Sequence, residues 1–184
     1  LAGQSSLHYS PEEFPARGAL KGLIEAVLVS EGVPGEIGAL PWIESEYYIG
    51  EYSRVGAAGP WQFMRGTAQF FDLEMTEFVD ERYSWIESTR AAARYLRYLY
   101  GMFGDWQLAI AAYNCGEGRV LRVIREQNVN YLDNFWDLYE RLPRETARYV
   151  PRFLATLFII ENSDRYGLND IQLDSPSDYE EIEI

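Results

Sequence analysis

The segment that decides the fold reads Ile43-Glu44-Ser45-Glu46-Tyr47-Tyr48 and, after four intervening residues, Ser53-Arg54-Val55-Gly56-Ala57-Ala58-Gly59-Pro60-Trp61-Gln62-Phe63-Met64. It places the carboxylate of Glu44 in an apolar helical run, ahead of a glycine-punctuated loop. A carboxylate in apolar surroundings has a raised pKa and can keep its proton near neutral pH. Glycines let the backbone approach a ligand closely. The segment predicts an acid beside a substrate-contacting loop; the alternative is an ordinary surface Glu at a helix end.

Apolar residues at helical spacing precede this segment. They predict a first helix over Ala16–Glu31 and a second helix that begins near Glu36. Pro41 lies inside the second helix, where we expect a kink rather than an end. The second helix therefore carries Glu44 and Ser45 at its C-terminal end.

The residues that follow have the same helical spacing. A third helix is expected from Pro60, which suits a first helical turn, to about Phe71, and an acidic irregular stretch comes next. The remaining helices are predicted over 85–103, 119–127, 135–141 and 142–166, with Pro151 inside the last and a loop at 128–132. A further helix is predicted after Asp105, which can cap it, and is expected to end within the segment 113–118. Strand-like alternation is absent, so the chain is predicted to be all-α.

Length and composition indicate one folded domain with short extensions. The chain has 184 residues, of which 47% are hydrophobic, so it can bury a substantial core. We divide it into an N-terminal arm (1–17), a folded domain (18–167) and an acidic C-terminal tail (168–184). The longest apolar run falls far short of the roughly 18 residues that a membrane span needs.

The net charge and the types of polar residue present restrict the ligands that the chain can bind and the reactions that it can catalyse. The net charge of −13 disfavours binding to nucleic acid or to anionic membranes. One His and one Cys leave no metal cluster, no disulfide and no nucleophilic triad, so we expect no metal and no cofactor. Carboxylates, hydroxyls and amides remain, at three junctions: 44–62, 113–118 and 143–149. This inventory fits acid catalysis on a glycosidic bond.

Four motifs carry a resemblance to a known family. They are Glu44-Ser45, the glycine-rich segment 56–64, Ala112-Tyr113-Asn114-Cys115-Gly116-Glu117-Gly118, and Pro143-Arg144-Glu145-Thr146 with Arg148-Tyr149-Val150. In this order and spacing they resemble the catalytic domain of lytic transglycosylases of the soluble-lytic-transglycosylase type, and most of all the membrane-bound D-type branch. Arg65 stands where that family usually has a proline. The resemblance covers about residues 18 to 165 and implies a lysozyme-like helical fold with a substrate groove.

The resemblance also implies a role for each matching residue. Glu44 would be the single acid and then base, and Ser53 would hydrogen-bond that carboxylate or the substrate. The implied substrate contacts are Ser45, Ser53, Gln62, Met64, Tyr113, Asn114, Glu145 and Tyr149. Three of these residues have a purely structural alternative: Ser45 can cap the backbone, and Met64 and Tyr149 can be core residues. Glu46, Glu51 and Glu117 are expected to face solvent.

The function implied by the resemblance is cleavage of peptidoglycan without water. The enzyme would cut the β-1,4 bond between N-acetylmuramic acid and N-acetylglucosamine and leave 1,6-anhydromuramoyl products. The alternatives are a goose-type-lysozyme-like hydrolase and a non-catalytic cell-wall-binding module. The implied partners are glycan strands with their peptide stems, in the periplasm or at the outer membrane, with any targeting segment absent from this chain. Endo or exo action and oligomeric state stay open.

Overall fold

Helices make up all the regular structure in the part of the chain described by the computed structural model, residues 15–126 and 134–167. The α-helices are α1 (Pro15–Ser30), α2 (Leu40–Ser45), α3 (Arg65–Phe70), α4 (Trp85–Phe103), α5 (Trp106–Cys115), α6 (Glu117–Arg125), α7 (Phe135–Leu138) and α8 (Arg144–Glu161). Short 3-10 helices cover Gly35–Ala39, Glu81–Tyr83 and Ser163–Tyr166. The predicted all-α class is confirmed. The predicted loop at 128–132, the N-terminal arm up to residue 14 and the tail lie outside the described residues.

Helix α4 forms the centre of the core, and its predicted bounds are confirmed. The Ser84 side chain accepts a hydrogen bond from the amide of Glu87 at its start, and Gly104 ends it with a φ of 68°. Its buried face carries Ala91, Ala92, Tyr95, Leu96 and Leu99. Through this face α4 packs against α1 and α5.

Helices α5 and α8 carry two of the motif junctions to one end of this core. Asp105 caps α5 as predicted, because its carboxylate accepts a hydrogen bond from the amide of Leu108 at 2.7 Å. The body of α5, residues 108–112, is buried, and the helix packs against α8. Pro151 lies inside α8, as predicted. Within the described ranges, no helix is both long and apolar enough to cross a membrane.

The second predicted helix is in fact two short elements. Gly35–Ala39 is a 3-10 helix, and α2 begins at Leu40 with Pro41 in its first turn. A proline is tolerated in a first turn because its missing N–H has no intrahelical partner there. The predicted kink is therefore wrong, but α2 does end on Glu44 and Ser45. Left-handed backbone at Glu46, with a φ of 54°, stops it.

The third predicted helix begins five residues later than expected, at Arg65 instead of Pro60. Gln62 has a φ of 48°, which is incompatible with a continuous helix. Ala58 and Phe63 instead exchange both backbone hydrogen bonds, each 3.1 Å long, and close a tight turn. The other differences are small: α6, α7 and α8 end two to five residues before their predicted ends.

Candidate active site

Glu44 lies on the last turn of α2, half-buried, where α2 meets α8. The Tyr149 hydroxyl, on α8, donates a hydrogen bond to Glu44 Oε1. Burial raises the pKa of Glu44 from its ordinary 4.5 to about 7. None of the ion pairs of the described residues involves Glu44. A carboxyl of this kind is about half protonated at neutral pH and can both give and take a proton.

Three neighbours adjust the pKa of this carboxyl. The hydrogen bond from Tyr149 and the positive charge of Arg152 lower the pKa of Glu44, and the negative charge of Glu145 raises it. Both Glu145 and Arg152 are exposed on α8. The sequence analysis did not single out Arg152, although it lies three residues beyond Tyr149 and so on the same face of the helix.

Substitutions at two of these neighbours should move the Glu44 pKa in opposite directions. Tyr149→Phe removes a donor to the ionised carboxylate, so we expect the pKa to rise above about 7. Glu145→Gln removes a like charge, so we expect it to fall below that value. Carbon-13 NMR titration of the Glu44 side chain measures both. Movement of both variants in the same direction would contradict this assignment of causes.

Tyr113 comes close to Glu44 but directs its hydroxyl elsewhere. The hydroxyl donates to the carbonyl of Trp61 at 2.8 Å, which ties α5 to the glycine-rich loop. Burial is the main cause of the raised pKa of Tyr113, and the charge of Glu44 is the next. Tyr113 is therefore a neutral phenol that forms one wall beside the acid.

Asn114 links α5 to α8. Its Oδ1 accepts a hydrogen bond from the buried hydroxyl of Thr146 at 2.8 Å. Its amide nitrogen makes no hydrogen bond to any described residue, so the two N–H donors of this half-buried side chain are available to a ligand. Thr146 was part of a quoted motif without a role; the structure makes it the residue that orients Asn114.

Ser53 and Gln62, the two residues of the glycine-rich loop that were predicted to contact substrate through polar atoms, each make hydrogen bonds within the loop. Ser53 Oγ accepts the amide of Ala57 at 2.9 Å and keeps its own proton to donate. Gln62 Nε2 donates to the carbonyls of Gly59 at 2.8 Å and Glu51 at 3.3 Å. The part of Gln62 that can meet a ligand is therefore its carbonyl oxygen.

Ser45 and Met64 occupy opposite environments. The Ser45 side chain is buried, and its Oγ lies 3.1 Å from the carbonyl of Pro41 and 3.0 Å from that of Pro60. This arrangement favours the backbone role for Ser45 over the predicted substrate contact, because its one proton is held between two carbonyls. Met64 is 46% exposed, so the core alternative for it is wrong and its side chain can meet a ligand.

A buried arginine that the sequence analysis missed supports the loop from behind. The Arg82 guanidinium donates to the carbonyls of Gly56 at 3.0 Å and Phe63 at 3.2 Å, and it is paired with the carboxylate of Asp80. The pairing with Arg82 lowers the pKa of Asp80. The only local signal was an Asp-x-Arg sequence in a stretch that otherwise looked acidic and irregular. No group of three or more described His, Cys, Asp or Glu side chains could hold a metal ion.

A helical core with one raised-pKa acid between a glycine-rich loop and two helix junctions defines a lysozyme-like class of domain. The Transglycosylase SLT domain family matches residues 23–134, which is more than half of the chain, and the chain belongs to that family. The resemblance read from the four motifs is thereby confirmed. The roles of the individual residues stay predictions.

Named relatives agree with this membership. Membrane-bound lytic murein transglycosylase D of Escherichia coli K12 is 41% identical over 138 residues, 74% of this chain and 30% of that protein. The lytic transglycosylase Slt of Pseudomonas aeruginosa, solved as an inactive Glu-to-Gln mutant, superposes with a TM-score of 0.60 and 28% identity, covering 81% of this chain and 25% of that one. The 70 kDa soluble lytic transglycosylase of E. coli superposes with a TM-score of 0.58 and 22% identity, covering 82% of this chain and 30% of that one. At this identity the likeness is one of fold alone. The chain thus spans under a third of each.

Proposed function

We propose that this domain is a peptidoglycan lytic transglycosylase with Glu44 as its single acid and then base. The substrate is the β-1,4 bond between N-acetylmuramic acid and N-acetylglucosamine. The observation that carries the proposal is the half-buried Glu44 carboxyl, with a pKa of about 7 and a hydrogen bond from Tyr149. Membership of the SLT family and the names of its relatives support the same substrate.

The first step is proton donation. Protonated Glu44 gives its proton to the glycosidic oxygen as the bond from that oxygen to the muramic acid C1 breaks. The N-acetyl oxygen of the muramic acid stabilises the cationic carbon from within the substrate. This substrate-assisted route needs no second carboxylate as a nucleophile, and it leaves Glu44 ionised.

The second step returns the proton. Ionised Glu44 removes the proton of the C6 hydroxyl of the same sugar, and the C6 oxygen bonds to C1 and closes the 1,6-anhydro ring. Glu44 is then protonated again, and no water has been consumed. The hydrogen bond from the buried Tyr149 holds the carboxylate in place and stabilises its charged form between the steps.

The other residues bind the sugars. We assign the N–H donors of Asn114 and the carbonyl oxygen of Gln62 to the N-acetyl groups, because both atoms are left over from the framework hydrogen bonds. Met64 and Glu145 are exposed, and we assign them contacts with the glycan strand. Ser53 donates its hydroxyl proton to the substrate or to Glu44.

The decisive experiment is the mass of the products. Digestion of native peptidoglycan should release anhydro-muropeptides, each lighter by one water than the reducing muropeptide. Reducing products instead would make the domain a goose-type-lysozyme-like hydrolase, with Glu145 or Glu46 as base for a water. Binding of cell walls without release of soluble material would leave a non-catalytic module. Either result would overturn the proposal.

The proposed substrate sets the proposed location. Peptidoglycan lies in the cell envelope, and one relative carries "membrane-bound" in its name. We therefore propose that the functional protein is located in the periplasm or at the outer membrane, and that its partners are glycan strands with their peptide stems. Fractionation of cells that express the full-length protein tests this, and recovery in the cytoplasmic fraction would contradict it.

A further inference from the structure

A cavity of about 350 Å³ lies beside the candidate active site, between α3, α4 and α6. Its walls include the aromatic side chains of Phe70, Phe71, Tyr95 and Tyr98, together with the carboxylate of Glu117. Phe70 is 73% exposed and Tyr98 is 46% exposed. Large apolar side chains held open to solvent around a cavity mark a site for a ligand more often than an ordinary surface does.

Glu117 gives this cavity its charge. The residue was expected to face solvent, but it is half-buried, and its Oε2 accepts a hydrogen bond from the Tyr95 hydroxyl at 3.2 Å. Its second oxygen has no hydrogen-bond partner among the described residues. Among the described residues that line the cavity, Glu117 has the only charged side chain. The nearby Arg94 guanidinium is engaged by the Phe71 carbonyl at 2.7 Å.

A carboxylate among aromatic faces recognises a particular kind of group. An alkylammonium gains an ion pair with the carboxylate and cation–π attraction to the rings, while its carbon chain packs on apolar surface. An anion is repelled, both by Glu117 and by the net charge of −13. The position of Glu117 in the first turn of α6 suits the helix dipole, but this does not account for the exposed aromatic walls.

The cavity adjoins the candidate active site, both through side-chain packing and because the residues that line it are close in sequence to residues of the site. The Tyr95 ring lies 5.3 Å from the ring of Tyr113, centroid to centroid. Helix α3 begins directly after Met64, and Glu117 follows Asn114 by three residues. A ligand in the cavity can therefore be part of the same molecule as a sugar held near Glu44.

We propose that the cavity lined by Phe70, Tyr95, Tyr98 and Glu117 binds a free primary ammonium group on a peptide stem of the bound glycan strand. This proposal rests on the proposed function, because it takes peptidoglycan as the substrate. Stems that contain a diamino acid carry such a group on an aliphatic chain. The cavity thereby adds preference for a charged stem to the recognition of the sugars.

Two soluble disaccharide-peptides test the proposal, one with a free side-chain ammonium and one with that nitrogen acetylated. Binding is measured by calorimetry on the Glu44→Gln variant, so that turnover does not interfere. We expect the free form to bind about tenfold more tightly, in line with one exposed cation–π and ion-pair site. Adding Glu117→Gln should abolish this ratio, and adding Glu36→Gln on the distant 3-10 helix should preserve it.

Equal binding of the two peptides to the Glu44→Gln protein would overturn the proposal, and this comparison needs no change in the cavity. A ratio that survives Glu117→Gln would also overturn it. The proposed function is judged separately, on glycan strands stripped of peptide. Release of anhydro products from these strands should be unchanged in the single Glu117→Gln variant, so the two ideas can fail independently.

Discussion

Glu44→Gln should lower the rate of anhydro-muropeptide release by about 10³- to 10⁴-fold, since the same carboxyl serves both proton transfers. The amide keeps the size of the side chain and can still accept a hydrogen bond from Tyr149, so the groove should bind glycan strands as before. Product formation is followed by mass spectrometry and strand binding by calorimetry. Near-normal turnover would remove Glu44 from its assigned role.

In the active protein, kcat/KM should fall tenfold for each pH unit above about 7, as Glu44 loses its proton.

The same substitution has a second, independent signature in stability. A carboxyl whose pKa rises from 4.5 to about 7 on folding binds its proton more tightly in the folded state. Its stabilising contribution is complete below pH 4.5 and is lost as the pH rises to about 7, a change of at most about 3 kcal/mol. In Glu44→Gln this part of the pH dependence should disappear. Denaturant unfolding at pH 4.5 and pH 8 measures it, and an unchanged difference would contradict the raised pKa.

Gly59→Ala should be the most destabilising single-methyl change in the glycine-rich loop. A Cβ at residue 59 would lie 1.8 Å from the carbonyl oxygen of Arg82, and the φ of 75° is itself unfavourable for alanine. Backbone must move to relieve this contact, because no flexible side chain is involved. We expect a loss of about 4 kcal/mol or more in the free energy of unfolding, measured by denaturant unfolding.

Gly104→Ala is the matched control. Its φ of 68° is nearly the same, and a Cβ there meets no atom within 4 Å. It should cost only the roughly 1–2 kcal/mol of left-handed backbone. The difference between the two variants isolates the contact with Arg82. Equal losses would show that the loop does not depend on that contact.

The sequence predicted best those parts of the fold that are decided locally. Helix α4 was found with its bounds and α5 with its start, because Gly104 and Asp105 act within one turn of a helix end. The start of α3 was wrong because proline at residue 60 is compatible with both a helix and a turn. What decides between them is the Gln62 side chain bonded to Gly59 and Glu51, which a local pattern does not reveal.

The candidate site divides in the same way. The raised pKa of Glu44 could be anticipated from its apolar neighbours, and its partner Tyr149 from the family motif. For Ser45 the sequence left a backbone cap and a substrate contact both open. The framework role of Arg82 could not be anticipated, because it depends on which carbonyls lie opposite its guanidinium in the folded chain. Glu117 looked solvated for the same reason: the Tyr95 hydroxyl reaches it from a helix 22 residues earlier.

The hydrogen bond between Glu44 and Tyr149 joins residues 105 positions apart, near opposite ends of the domain. Helix α8 must therefore be docked before the acid has its full environment. An unfolded chain presents Glu44 with its ordinary pKa of 4.5, ionised at neutral pH and unable to protonate a glycosidic bond. Under the proposed mechanism, the acid is therefore competent only once α8 is docked, and an unfolded chain lacks the protonated carboxyl that the first step requires.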